Sequence, residues 1–436
     1  MKSIFPLITF RIIFGIMMLI STLRFIALGW IEAHYIAPKF HFKYYGFEWV
    51  EVISPEFIYF VHIVMIISSL GVIFGGFYRI SAALLFLSFT YTELIDLTYY
   101  LNHYYFVSII CFLLILVPAN ACFSVDSWRN PNLQRLKVPA WTIWIFQFQL
   151  AIVYIYAGIA KINHTWLIEA MPLKIWLPAN DKFPLIGWIF TLKITPYLFS
   201  WIGMLYDCSI VFFLLWRKTR LMAYIVVVIF HILTGLLFQI GVFPLVMISS
   251  TLIFFSEKWH EKLITKLITW FHFPIHSQDN FDKNTTIKAI PTFIKLILYL
   301  HIPFQLLFPF RYLLYDGNLL WTEQGYRFSW RVMLMEKAGT ATFYVKDSLT
   351  NKEGEVVNSE FLTADQEKQM AMQPDMILQF AKFLAKHYEK QGVVNPQVRV
   401  ETYITINAKP SKLLINPAIN LVEITDSFAE KTWIMK

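Results

Sequence analysis

A chain of 436 residues that is 57% hydrophobic, 18% aromatic and only 15% charged falls outside the range of ordinary soluble domains. Its repeated apolar runs, about twenty residues each, mark an integral membrane protein. The formal charge of +8 lies wholly before residue 311, with 22 basic against 14 acidic residues there and 15 against 15 from Arg311 onward; a basic excess in membrane loops reports orientation and speaks against nucleic acid as a partner.

In chain order, the first apolar run, 5–30, is too long for a signal-peptide core and lacks a small-residue cleavage site, so it reads as a retained span. Further spans are expected at 57–76, 80–98, 104–118, 139–160, 195–216, 221–238, 243–256 and 291–310. Arg11 and Arg24 in the first span and Asp207 in the sixth predict buried ion pairs. Gly241 and Pro244 break the stretch that begins at Leu221 and predict a tight turn. Arg79, the Arg129/Arg135/Lys137 loop, the Arg217-Lys218-Thr219-Arg220 turn and the loop 257–290 share one face, which the positive-inside rule makes cytoplasmic. Loop 31–56, Asn102-His103, Lys161, loop 162–194, the turn 239–243 and the C-terminal region then share the outer side. An active site there would be assembled from several spans and capped by the soluble part. The aromatic segment Tyr44-Tyr45-Gly46-Phe47-Glu48-Trp49 either lies at the lipid surface or lines a pocket. Cys111, Cys122 and Cys208 show no pairing pattern.

Past residue 311 the pattern changes. Short strands are expected at 341–347 and 354–358, a capping box at Thr363 and Gln366, a helix over 374–391 with Gly392 beyond its end, and a strand over 397–407 whose apolar face carries Val398, Val400, Thr402, Ile404 and Ile406. The predicted fold is a polytopic α-helical membrane domain of about nine spans, residues 1–310, followed by an extramembrane, mainly β (α+β) domain, residues 311–436, on the periplasmic or lumenal side.

The best single clue to chemistry is Lys161, directly after the fifth span. Desolvation at that depth disfavours the charged form, and a neutral lysine can accept a proton; the alternative is a snorkelling lysine at a helix end. His103, beside the amide of Asn102, can exchange protons near neutrality or sit in an aromatic belt. His231, deep in the seventh span, must face protein or a cavity. There is no phosphate-binding glycine loop, His-Glu-x-x-His or nucleophile elbow. His272 and His276 have helical metal spacing, but Pro274 between them argues against a helix, and no metal is expected.

Taken together, Phe10-Arg11-Ile12-Ile13-Phe14-Gly15, Tyr78-Arg79-Ile80-Ser81, Asn102-His103, Phe123-Ser124-Val125-Asp126, Ala157-Gly158 with Lys161, Asp207, His231 with Phe238-Gln239-Ile240-Gly241, Phe328-Ser329-Trp330 with Met333, and Tyr403-Ile404-Thr405-Ile406-Asn407 with Asn416-Pro417 resemble, in order, the vitamin K-dependent gamma-glutamyl carboxylases and their bacterial relatives, the horizontally transferred transmembrane domain proteins. The resemblance implies that Lys161 is the base that deprotonates a reduced naphthoquinone. Reaction with dioxygen then yields the strong base that takes a proton from the gamma carbon of glutamate, and carbon dioxide adds. It further implies that His103 and its neighbour Asn102 bond the quinone oxygens or the base, that His231 belongs to the same cavity, and that Trp330 and Met333 lie near the glutamate. Reduced vitamin K or menaquinol, O2 and CO2 are the implied co-substrates; membrane lipid and a secreted glutamate-rich protein are the implied partners, and a bacterial inner membrane with a periplasmic C-terminal domain the implied location. The chain departs from the animal enzymes at Ala160, where they carry a second lysine, in lacking their stapling cysteine pair, and in its shorter C-terminus. The rival readings are a quinol epoxidase without protein carboxylation and a non-enzymatic quinone-binding membrane protein.

Overall fold

The computed structural model describes residues 1–238, 240–270 and 290–435; His272, His276 and Gln239 lie outside the described residues. Helices occupy all nine predicted spans: α1 (Phe5–Ala27), α2 (Pro55–Phe74), α3 (Tyr78–Ile95), α4 (Asn102–Leu116), α5 (Trp141–Lys161), α6 (Thr195–Leu215), α7 (Arg220–Phe238), α8 (Phe243–Thr251) and α10 (Thr292–Leu307), with the amphipathic α9 (Glu257–Trp270) before the last. Six are long and apolar enough to cross a membrane, among the described residues: α1, α2, α5, α6, α7, and α10 with its continuation to Leu314. By length and composition, nine crossings are therefore not confirmed among the described residues. The 15 residues of α4 reach about 22 Å, short of a hydrocarbon core of about 30 Å. The helix at Phe243–Phe254 is shorter still, and α3 is diluted by Thr90, Thr92 and Glu93.

The two ends of the bundle collect the segments that the charge pattern sorts. At one end strand β1 (Lys2–Ser3) pairs with β2 (Lys137–Val138), Lys2 meets Glu257 at 3.2 Å, and the Asp126 carboxylate caps α3 by accepting from the backbone N–H groups of Phe77 and Tyr78. Arg11 corrects the ion-pair expectation. Its guanidinium donates to the carbonyls of Ala119 (3.0 Å) and Phe123 (2.6 Å), so the loop it meets supplies carbonyl oxygens in place of a carboxylate. Arg24 likewise lies over the Trp30 ring, 4.8 Å from its centre. Asp207 does form the expected pair, with Lys161.

At the other end sits a four-stranded antiparallel sheet in the order β4 (Glu353–Glu355), β3 (Lys337–Lys346), β5 (Gln397–Ile406), β6 (Lys412–Leu413), backed by α11 (Ala364–Met370) and α12 (Pro374–Lys390). The Thr363/Gln366 capping box forms, and Gly392 adopts a left-handed φ of 93° past α12. Strand β3 begins earlier than its alternation predicts because Lys337 to Thr340 are held by β5 rather than by burial of one face. Loop 31–56 is a docking surface for this domain. Phe42 and Tyr44 enter the core formed by Phe343, Phe380 and Val400, while Gln379 bonds both the N–H and the C=O of Lys43, at 2.7 and 2.9 Å. The aromatic segment thus divides between the two readings: Tyr44 is buried and Trp49 is 75% exposed.

Candidate active site

Helix α5 ends at Lys161 because Asn163 starts the next turn as an N-cap, accepting from the Trp166 N–H at 2.9 Å. Lys161 is only 7% exposed, and its Nζ donates to Asp207 Oδ2 at 2.7 Å and to the Ala157 carbonyl at 3.2 Å. The Trp166 ring centre stands 5.5 Å away. Desolvation alone argues for an isolated amine; the structure instead holds a lysine–carboxylate pair between which a proton can be shared. Gly158 permits it. A Cβ there would stand 2.5 Å from Cys208 Sγ and 2.7 Å from Cys208 N, so only glycine lets α6 bring Asp207 this close.

Between the bundle and the sheet domain lies a cavity of about 800 Å³, lined by Arg24, Phe25, Tyr35, Glu93, Asn102 to Tyr104, Ile240 to Phe243, Arg327 and the run Arg331 to Lys337. Three of the six predicted site residues line it: Asn102, His103 and Met333. The His103 ring packs between Tyr104 (4.5 Å) and Phe243 (5.7 Å) and has no hydrogen-bond partner among the described residues. His231 is one layer behind, its Nε2 sharing a proton with Tyr154 Oη at 3.0 Å and its ring 5.5 Å from Phe243; its Nδ1 is buried without a partner among the described residues. Trp330, 1% exposed, stacks on Tyr105 at 4.9 Å, again behind the lining. Lys161 is not on the lining either. Ala160 and Trp166 pack in one apolar cluster with Leu237 and with Leu334, which does line the cavity.

The segment Phe328 to Met333 holds three non-glycine residues in the left-handed region, Phe328 (φ 57°), Trp330 (60°) and Met333 (55°). Such a concentration of backbone strain persists only where the surroundings over-determine it. Asn102 supplies part of that constraint. Its Nδ2 donates to the Arg331 carbonyl (2.8 Å) and its Oδ1 accepts from Tyr100 Oη (3.0 Å), which in turn accepts from the Phe328 N–H (2.7 Å). Asn102→Ala should therefore weaken binding of a ligand held by this segment by about tenfold, roughly 1.4 kcal/mol, while leaving maximal turnover within about twofold; a Kd titration beside kcat checks it.

Sequence reasoning missed the charges that the soluble domain brings to the cavity, because their partners lie far away in the chain. Arg327 donates to the Asp375 carboxylate and to Gln373 Oε1, and Lys337 meets Glu323 at 2.7 Å. Burial opposes ionisation of Asp375, but the guanidinium outweighs it and holds the carboxyl well below the usual carboxylate range. A depressed carboxyl contributes stability above its unfolded value of about 3.9 and loses it as pH falls further. Arg327→Ala should lower stability by about 2 kcal/mol at pH 7, less than a fully buried pair because both side chains keep some exposure. The deficit should shrink below pH 4 in denaturation curves.

Two family models match the chain. Residues 2–259 match the HTTM domain family, and residues 290–436 match the vitamin K-dependent gamma-carboxylase lumenal domain. No solved structure matches the chain. With the membrane part and the lumenal part both matched in order, and with the junction between them enclosing the cavity, the chain belongs to the vitamin K-dependent gamma-carboxylase family.

Proposed function

We propose that this protein is a membrane enzyme that oxidises a reduced naphthoquinone with dioxygen to its epoxide and couples that to carboxylation of protein glutamate. Quinol, O2, CO2 and a glutamyl residue would become epoxide, gamma-carboxyglutamate and water. The observation that carries this reading is the buried Lys161–Asp207 pair at a helix end, where a base can act away from bulk water. When bound, the quinol supplies the reductant and, with O2, the strong base; the residues of this chain do the rest. Lys161 takes the first proton, and Asp207 stabilises the ammonium that results. The cavity suits a ring that is mostly apolar with polar edges: its walls include Phe25, Tyr35, Tyr104 and Phe243, and the His103 ring has no competing protein partner among the described residues. His103 and Asn102 would bond the ring oxygens, and His231 with Tyr154 would back that wall. Trp330 and Met333 would flank the glutamate. The apolar cluster of Leu334, Leu237 and Trp166 keeps water from the pair.

Reduced vitamin K or menaquinol is the fitting quinol, membrane lipid its reservoir, and a secreted glutamate-rich protein the acceptor. The location would be a bacterial inner membrane with the C-terminal domain in the periplasm. Purified protein given reduced vitamin K, O2 and labelled bicarbonate, with and without a glutamate-rich peptide, tests all of this. Epoxide with fixed label supports the proposal. Epoxide without label leaves a quinol epoxidase, and no epoxide leaves a quinone-binding protein.

A further inference from the structure

We propose that Glu93 is a further catalytic residue, whose carboxyl group donates a hydrogen bond to a ring oxygen of the bound quinol and stabilises the negative charge left there when Lys161 takes the proton; this rests on the quinol reading above. Helix α3 carries Leu85, Phe89 and Glu93 at successive turns of one face. Leu85 and Phe89 are buried, and the Phe89 ring meets Tyr104 edge-on at 6.0 Å. The Tyr104 ring in turn meets His103 at 4.5 Å. Local pattern calls for a third apolar side chain at position 93, and the chain places a carboxyl there instead. Glu93 is half-buried, and its open side is the cavity that it lines.

Four other acids line the cavity, and each is accounted for. Asp96 accepts from the Thr98 N–H at 2.9 Å and from Gln366 Nε2 at 2.8 Å. Glu323 meets Lys337 at 2.7 Å, Glu336 accepts from the Trp176 indole, and Asp365 is exposed. Glu93 has neither a hydrogen bond nor an ion pair among the described residues. Arg24 shares the cavity but lies over the Trp30 ring and makes no ion pair with Glu93. The phenols of Tyr35 and Tyr104 are within Coulombic reach of the carboxyl, and neither bonds it. Without a cation a carboxylate in such surroundings is costly, so the neutral acid is the form they favour. That acid has one O–H to donate and, among the described residues, no protein group that accepts it. A ring oxygen gaining negative charge is the acceptor this O–H lacks, and a donor fixed in place beforehand stabilises that charge without reorganising.

The test uses full-length protein in lipid nanodiscs. Its probe is menadiol, the bare naphthoquinol head, added without oxygen so that nothing turns over. Infrared difference spectra are recorded as it binds, and the Kd is read from tryptophan fluorescence. The carbonyl stretch of a protonated carboxyl should be present before menadiol is added, move to lower frequency on binding, and be missing from Glu93→Leu. With oxygen, Glu93→Leu should lower kcat by about 10²–10³-fold, the range for one lost oxyanion donor, with KM within about threefold. Its thermal midpoint should equal or exceed that of the wild type, because an unpaired polar group gives way to an apolar one. Glu93→Gln keeps an N–H donor, and its rate should fall between the two. Menadiol bound with the band unmoved would overturn the catalytic role while leaving the quinol reading intact, as would a Glu93→Leu variant that loses stability and activity together. A band that moves although no epoxide forms in oxygen would also overturn that role, leaving a quinol-binding protein. No binding of menadiol would remove the quinol reading itself, and the role of Glu93 with it.

Discussion

Replacing Lys161 by alanine should lower epoxide formation by about 10²–10⁴-fold, the range for losing a positioned general base. The same change leaves Asp207 as a buried carboxylate without its cation, which costs about 3–5 kcal/mol in comparable pairs, so an inactive variant could simply be unfolded. Two further variants separate these effects. Lys161→Arg keeps a cation against Asp207, yet a guanidinium does not give up its proton in a protein, so the variant should fold and make no epoxide. Lys161→Met combined with Asp207→Leu removes both charges and fills the space with apolar atoms. Such replacements are often neutral or stabilising, so its thermal midpoint should equal or exceed that of the wild type, again with no epoxide. Wild-type epoxide yield from either variant would place the base elsewhere.

What the sequence reveals about this site follows the range of the interactions. Apolar runs locate every membrane helix, and the alternation of Val398, Val400, Thr402 and Ile404 locates β5, because each is a local pattern read by one buried face. Lys161 is conspicuous for the same reason, a charge at the end of an apolar helix. Its partner is only half legible: Asp207 stands out in α6, but nothing in either helix says that the two meet, since their contact depends on the Gly158–Cys208 approach between helices. The number of crossings is less legible for a different reason. Helices α4 and α8 are apolar throughout but short, because they are packed on protein rather than cut to the thickness of a bilayer. The cavity itself is illegible in the chain. Its floor joins Asn102 to Arg331 and its rim joins Arg327 to Asp375, pairs formed across the membrane and soluble parts or between distant strands and helices. Nothing in local periodicity encodes such pairings.

Gly158→Ala should damage the site directly, because its added methyl group meets the helix that carries Asp207. The new Cβ would lie 2.5 Å from Cys208 Sγ, 2.7 Å from Cys208 N and 3.1 Å from the Asp207 carbonyl carbon. Only the first of these belongs to a side chain, so α6 must shift away from α5, and the 2.7 Å bond between Lys161 and Asp207 opens with it. Overpacking of this kind costs about 1–3 kcal/mol, and misplacing a proton acceptor by about an ångström costs roughly 10²-fold in rate. Epoxide formation should therefore fall further than stability alone explains. Removing the thiol as well, in Gly158→Ala with Cys208→Ala, should restore little, because the backbone nitrogen still obstructs the methyl group. Gly203→Ala is the control on the facing helix, α6: its nearest neighbour would be Trp166 Cζ2 at 4.0 Å, an ordinary contact. It should leave turnover unchanged and raise helix stability by up to about 1 kcal/mol. If both glycine variants behaved alike in epoxide assays and thermal melts, the close approach of α5 and α6 would not be what holds the pair, and Asp207 would have to be positioned by its own helix alone.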